Sequence, residues 1–180
     1  MSTNRQKSFI TTLTTNTGNL HIPQYTYGRK IVIGVRPWLA ITEDKIDVSN
    51  YLCADPNSNV NSLQFYFRCS EDYYTIYLRS PGPFYGRTIG RNGGDELGAY
   101  IDDNPTTFNL IDNNGKIVTL DQITTDTPTL IIQTRGGTAL VRNKATDMGY
   151  FIRAASGAVL KFRLKILERN APFLNNPDEV

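Results

Sequence analysis

The sequence predicts an all-β protein. Apolar and polar residues alternate with a period of two, as in Lys45-Ile46-Asp47-Val48, which is the spacing of a half-buried strand. Turn-forming clusters break these runs throughout: Asp55-Pro56-Asn57-Ser58-Asn59, Ser80-Pro81-Gly82-Pro83, Asn92-Gly93-Gly94-Asp95, Asp112-Asn113-Asn114-Gly115. Ten Tyr and eight Phe stand against one Trp and two Met, a bias toward strands. No window with helical period and caps outweighs these signals, and only 140–148 reads as a short helical turn.

Residues 1–28 are rich in Thr and Asn, with Phe9, Ile10, Leu13, Leu20 and Ile22 as their apolar anchors. They read as an N-terminal arm, or as a pair of irregular strands laid on the domain. The regular part opens at Lys30-Ile31-Val32-Ile33. Phe65, Phe108 and Phe151 then recur at an interval of about 43 residues, the mark of a repeated supersecondary unit. Each lies in a similar short pattern, and about ten residues on a second apolar strand follows: Thr75-Ile76-Tyr77-Leu78, Ile117-Val118-Thr119-Leu120, Ala158-Val159-Leu160-Lys161-Phe162. Three units follow, about 30–75, 76–129 and 130–167, inside one domain of residues 29–168. An irregular tail, 169–180, carries two prolines.

Three units, each opening on an apolar strand and closing on a Phe strand and its hairpin partner, resemble the β-trefoil superfamily over roughly residues 30–168. The resemblance implies three four-stranded units forming a six-stranded barrel capped by three hairpins. The alternative is a β-sandwich, which is also built of short strands with regular turn signals.

A chain of 180 residues is long enough for one well-cored domain. Its net charge of +2, without clustered basic residues, gives no case for nucleic acid or an anionic membrane surface. No uninterrupted apolar stretch is long enough to span a membrane as a helix. The N-terminus lacks the apolar run of a signal peptide, so the expected location is cytoplasmic. Cys53 and Cys69 fit this as two reduced, partly buried thiols, although neighbouring strands would permit a disulfide.

The chemistry is read by exclusion. His21 is the one histidine, which rules out a two-His metal site within one chain, and it reads as a packing or surface residue and not a catalytic one. No metal or cofactor site is expected, and the protein reads as non-catalytic. Asp102 and Asp103 read as turn residues rather than an acid–base pair, because neighbours on a strand face opposite ways. The loop Gly86-Arg87-Thr88-Ile89-Gly90-Arg91-Asn92-Gly93-Gly94 lacks a P-loop ending; Arg87 and Arg91 suit an anionic partner.

Sugars are held by aromatic faces together with Asp, Asn or Arg on their hydroxyls. Tyr85, Arg87, Asp102, Asp103 and Asn104 offer this combination in unit two, with Phe84 beside them reading equally as a plug in the barrel end. Trp38 reads evenly as a core plug or a ligand platform. The expected partner is therefore a glycan or glycoprotein. Lectins among the trefoils are often defence- or toxin-related, which is implied by the resemblance alone; the Gln-x-Trp motif of the ricin type is absent. The alternative partner is a protease, met by the Pro-stiffened loop 80–86 as in trefoil proteinase inhibitors. A third reading is a cytoskeletal or structural interaction domain. A strand-like arm can exchange between chains, which makes a homodimer the assembly to test.

Overall fold

The computed structural model describes residues 2–35, 44–56, 60–91 and 93–172, with the side chains of 144–146 left aside. The chain is all-β apart from short helical turns. In chain order the strands are β1 (Phe9–Thr15), β2 (Gly18–His21), β3 (Val32–Val35), β4 (Asp44–Asp47), β5 (Cys53–Asp55), β6 (Gln64–Ser70), β7 (Tyr73–Leu78) and β8 (Thr88–Arg91). They continue with β9 (Leu97–Tyr100), β10 (Thr107–Ile111), β11 (Ile117–Val118), β12 (Thr129–Thr134), β13 (Leu140–Thr146), β14 (Gly149–Ala154) and β15 (Lys161–Arg169). Two helical turns, α1 (Asn4–Lys7) and α2 (Pro23–Tyr27), flank the first two strands. No helix among the described residues is long and apolar enough to cross a membrane.

All strand pairs are antiparallel, and six of the strands close on themselves. β1 pairs with β6, β6 with β7, β7 with β10, β10 with β12, β12 with β15, and β15 returns to β1. A closed ring leaves no free edge among these strands. Period-two alternation turns one face of each inward, and the main core fills with Phe9, Leu13, Phe65, Phe67, Tyr74, Phe108, Ile132, Phe162 and Leu164.

Three further pairs, β2/β5, β8/β9 and β13/β14, fall in the chain between ring strands β1 and β6, β7 and β10, and β12 and β15. They meet at one end of the ring. The Leu52 N–H donates to the Leu97 carbonyl at 2.8 Å, and the Ile152 N–H donates to the Leu52 carbonyl at 2.9 Å. Leu52, just before β5, Leu97 of β9 and Ile152 of β14 are buried together at that end of the core.

Several expectations shift. β1 and β2 are members of the large sheet, and Phe9, Leu13, Leu20 and Ile22 sit in its core, so residues 9–21 belong to the sheet itself. Threonine is β-branched and suits a strand with one wet face, which is why a Thr-rich segment pairs so well. The expected boundaries at 75/76 and 129/130 fall inside β7 and β12. Phe65 and Phe108 occupy ring strands, whereas Phe151 lies on β14, in a separate cluster with Val48, Cys53 and Met148. The equal Phe spacing therefore does not mark three equivalent positions. Residues 140–146 form β13 and not a helical turn, because Leu140 and Val141 bury against the sheet. β15 runs to Arg169, and Ala171 packs under Ile10 and Tyr66. Residues 173–180 lie outside the described residues.

Cys53 and Cys69 are free and buried in different clusters. Burial pushes both thiols up, Cys69 to about 11.

His21 is fully buried and joins three elements. Its Nε2 lies 2.9 Å from the Met148 carbonyl in the β13–β14 turn, and its Nδ1 lies 3.1 Å from Thr26 Oγ1 on α2. Nε2 therefore carries the proton, and Nδ1 accepts from the threonine hydroxyl. Burial lowers its pKa from 6.5, partly opposed by the Met148 carbonyl and the Asp55 carboxylate. The neutral ring is the folded form. Its contribution to stability is complete above pH 6.5, the ordinary histidine value, and is lost as pH falls through the lowered folded value. The melting temperature is expected to fall on acidification below pH 6.5, and the slope to flatten in His21→Gln. Melting curves across this range, with an equal slope in wild type and variant as the contrary result, check it.

Candidate functional site

Polar clefts open beside the β8–β9 pair. A strand-interior glycine makes the site possible. A Cβ on Gly98 would stand 2.6 Å from the Asn50 carbonyl oxygen and 2.6 Å from the Tyr100 hydroxyl. Without one, β9 approaches the chain before β5 closely enough for the Ala99 N–H to donate to that carbonyl at 2.9 Å. The Tyr100 ring then folds back over Gly98. Burial pushes its phenol up to about 12, helped by the nearby Tyr51 and Glu96.

Gly90 does the same on β8. A Cβ there would meet Thr106 Oγ1 at 2.9 Å, and that hydroxyl instead accepts from the Arg91 N–H at 3.1 Å. This draws the 101–106 loop against β8. Within the loop the Asn104 N–H donates to Asp102 Oδ1 at 2.9 Å, an Asx turn that fixes the carboxylate.

Two adjoining clefts result. One, of about 410 Å³, is lined by Asn50, Arg87, Tyr100 and Ile101; the other, of about 600 Å³, by Asp95, Asn104 and Thr106. Arg91, Gly93 and Asp102 border both. Ile101 is 88% exposed at the rim. The Arg87 guanidinium rests 4.5 Å from the centre of the Phe84 ring, a cation–π contact that props it at the cleft wall.

Of the residues singled out in the sequence, Arg87, Asp102 and Asn104 come together here. Asp103 is exposed and lines neither cleft. Tyr85 also lines neither. It is half-buried, with the Arg79 guanidinium 5.3 Å from its ring centre and its hydroxyl buried. Trp38 lies outside the described residues. Phe84 is buried in the main core, and Ser80 Oγ accepts from the Gln64 N–H at 2.8 Å. The loop they anchor exposes Pro81, Gly82 and Pro83.

Comparison with protein-family models, with curated proteins and with solved structures finds no match. What the site can do follows from its residues alone.

Asn50, Tyr100, Asp95 and Thr106 were not legible as site residues, since they come from separate segments that only the fold brings together. The one signal pointing to them is Gly98 inside Leu97-Gly98-Ala99-Tyr100, because a glycine in a strand marks a close backbone approach. Chemically the site offers guanidinium donors, carboxylate acceptors, the side-chain amides of Asn50 and Asn104 and an aliphatic rim. Among the described residues no three His, Cys, Asp or Glu side chains gather to hold a metal ion.

Gly98→Ala is expected to lower stability by about 1–3 kcal/mol, because the new methyl meets backbone that cannot swing away. Urea unfolding measures this, and an unchanged midpoint would show that the close approach is not required.

Proposed function

We propose that this chain is a non-catalytic carbohydrate-binding protein on a β-trefoil scaffold, taking a glycan in the paired clefts of unit two. The closed ring of six strands, with one strand pair per unit gathered at one end, supports the trefoil over a β-sandwich, whose two sheets keep free edges. The observation that carries the functional reading is the convergence of Arg87, Arg91, Asp102 and Asn104 on adjoining polar clefts. A sugar presents hydroxyls that both donate and accept, and C–H faces that prefer apolar contact. Arginine donates, aspartate accepts and the asparagine amide does both, while Ile101 and the Tyr100 ring supply the apolar contact.

The clefts are shallow and polar, unlike the enclosed apolar pockets that hold drug-like ligands. A site of this kind binds weakly alone and gains through multivalency. The proteinase-inhibitor reading is less well supported, because Phe84, the natural anchor for a protease cleft, faces the core. Buried free thiols fit a reducing, cytoplasmic setting.

A glycan array read with wild type, Arg91→Ala and Asp102→Ala tests the proposal. Wild type is expected to bind at least one glycan class, with each variant weakened about tenfold or more, the loss of a charged hydrogen bond. Absence of wild-type binding, or variants that bind as tightly as wild type, would refute it.

A further inference from the structure

β3 and β4 form a two-stranded ribbon of their own, set apart from the large sheet. It lies between β2 and β5, with residues 36–43 between its strands. An isolated ribbon of two short strands is marginal in water and gains its stability from further strands or from packing. Here the packing is partial: Ile31 and Ile33 touch the cluster of Val48, Cys53, Met148 and Phe151. Val32 remains 48% exposed, and Val35 and Ile46 each 38%.

The two edges of the ribbon differ. The register sets Val32 against Asp47, Ile33 against Ile46, Gly34 against Lys45 and Val35 against Asp44. Just beyond it, the Val48 N–H donates to the Ile31 carbonyl at 3.0 Å. Hydrogen-bonded and non-hydrogen-bonded pairs alternate along an antiparallel ladder. Ile33–Ile46 and Val35–Asp44 are therefore hydrogen-bonded pairs, and the N–H and C=O groups of Val32 and Gly34 point away from β4. The opposite edge turns out the backbone of Lys45 and Asp47 and is guarded by the exposed charges of Asp44, Lys45 and Asp47. The β3 edge, Ile31-Val32-Ile33-Gly34-Val35, has no charge in its span, and among the described residues no strand pairs with it.

We propose that the free edge of β3 is a self-association surface, pairing antiparallel with β3 of a second copy about a two-fold axis at Ile33. A second copy is the occupant that the register itself fits. With Ile33 on the axis, Val32 faces the partner's Gly34 and Gly34 faces the partner's Val32. Those are the residues with outward N–H and C=O groups, so the outward groups of Val32 and Gly34 are satisfied in both copies. On one face each Val32 side chain lies beside a glycine and does not clash. On the other, Ile33 meets the partner's Ile33 and Ile31 meets the partner's Val35, which extends the apolar face into a four-stranded sheet. The charged β4 edges end that sheet and stop further addition. This goes beyond the single glycan site, because two linked sites are what weak sugar binding needs.

The test is sedimentation velocity of the full chain, with Val32→Lys placing a charge on the pairing edge. Wild type is expected to dimerise, with the dimer dissociation constant raised about tenfold or more in the variant. Circular dichroism reports whether that variant is folded. Ile33→Cys gives a second, independent readout. Ile33 is hydrogen-bonded to β4 and thus occupies a non-hydrogen-bonded pair across the proposed axis, where two Cα atoms come within disulfide reach. It is expected to form an intermolecular disulfide under mild oxidation, whereas Ile46→Cys is not, and Cys53 and Cys69 are too buried to contribute. A wild-type monomer throughout, a dimer indifferent to Val32→Lys, cross-linking through Ile46→Cys, or association only with a foreign protein would overturn the proposal.

Discussion

The ladder between β1 and β15 closes the ring. Phe9 faces Arg169 at one end and Thr15 faces Phe162 at the other, with one bulge opposite Ile10 and Thr11 that leaves Leu167 of β15 unpaired and bends that strand. β1 also pairs with β6 on its other side, so a segment near the start of the sequence sits between two strands far from it. Without it, β6 and β15 would each present a free edge, and the core would open between them. Phe9 shows what the ladder protects: its ring stacks on Phe67 at 4.7 Å and meets Tyr74 edge-on at 5.6 Å. The Tyr74 hydroxyl in turn donates to the Lys7 carbonyl and accepts from the Leu120 N–H, binding α1 and the turn after β11 to the end of the ring away from the cap.

The candidate site depends on this closure at one remove. The ring sets where β5, β9 and β14 meet, and their contact seats Leu52, Leu97 and Ile152 over the core. β9 reaches that point only because Gly98 carries no side chain, and the same glycine lets Tyr100 fold over the strand to wall the cleft. The polar residues gather beside β8 and β9 through Gly90, Gly98 and the 101–106 loop. Between β2 and β5 stands the β3–β4 ribbon, and between β13 and β14 a short turn at Met148 with a buried histidine beneath it.

Much of the fold was legible residue by residue. The core strands β6, β7, β10 and β12 carry aromatic and β-branched residues in alternation, and each appears where the sequence places it. The turn at 112–116 is a local matter: Asp112 accepts from the Asn114 and Lys116 N–H groups, and Gly115 takes a φ of 79°. What escaped was decided by tertiary contact. Thr-rich β1 looks like an arm until β15 and β6 are beside it. Residues 140–146 are ambiguous in period and become a strand only against β14. Phe151 keeps the spacing of Phe65 and Phe108 but not their role, since inserted loops of unequal length change which strand a fixed interval reaches. At the site, Arg87, Asp102 and Asn104 were legible by chemical type, while Tyr85 was drawn to Arg79 by a contact that spacing does not reveal.

Native-state amide hydrogen exchange tests the central claim most directly, because it ranks segments by the free energy needed to open them. If β1 closes the ring, its amides at Thr11 to Leu13 belong to the slowest class and exchange with the free energy of global unfolding, together with those of β6 and β15. If β1 opens alone while β6, β7 and β10 stay protected, the ring does not depend on it, and the account is contradicted.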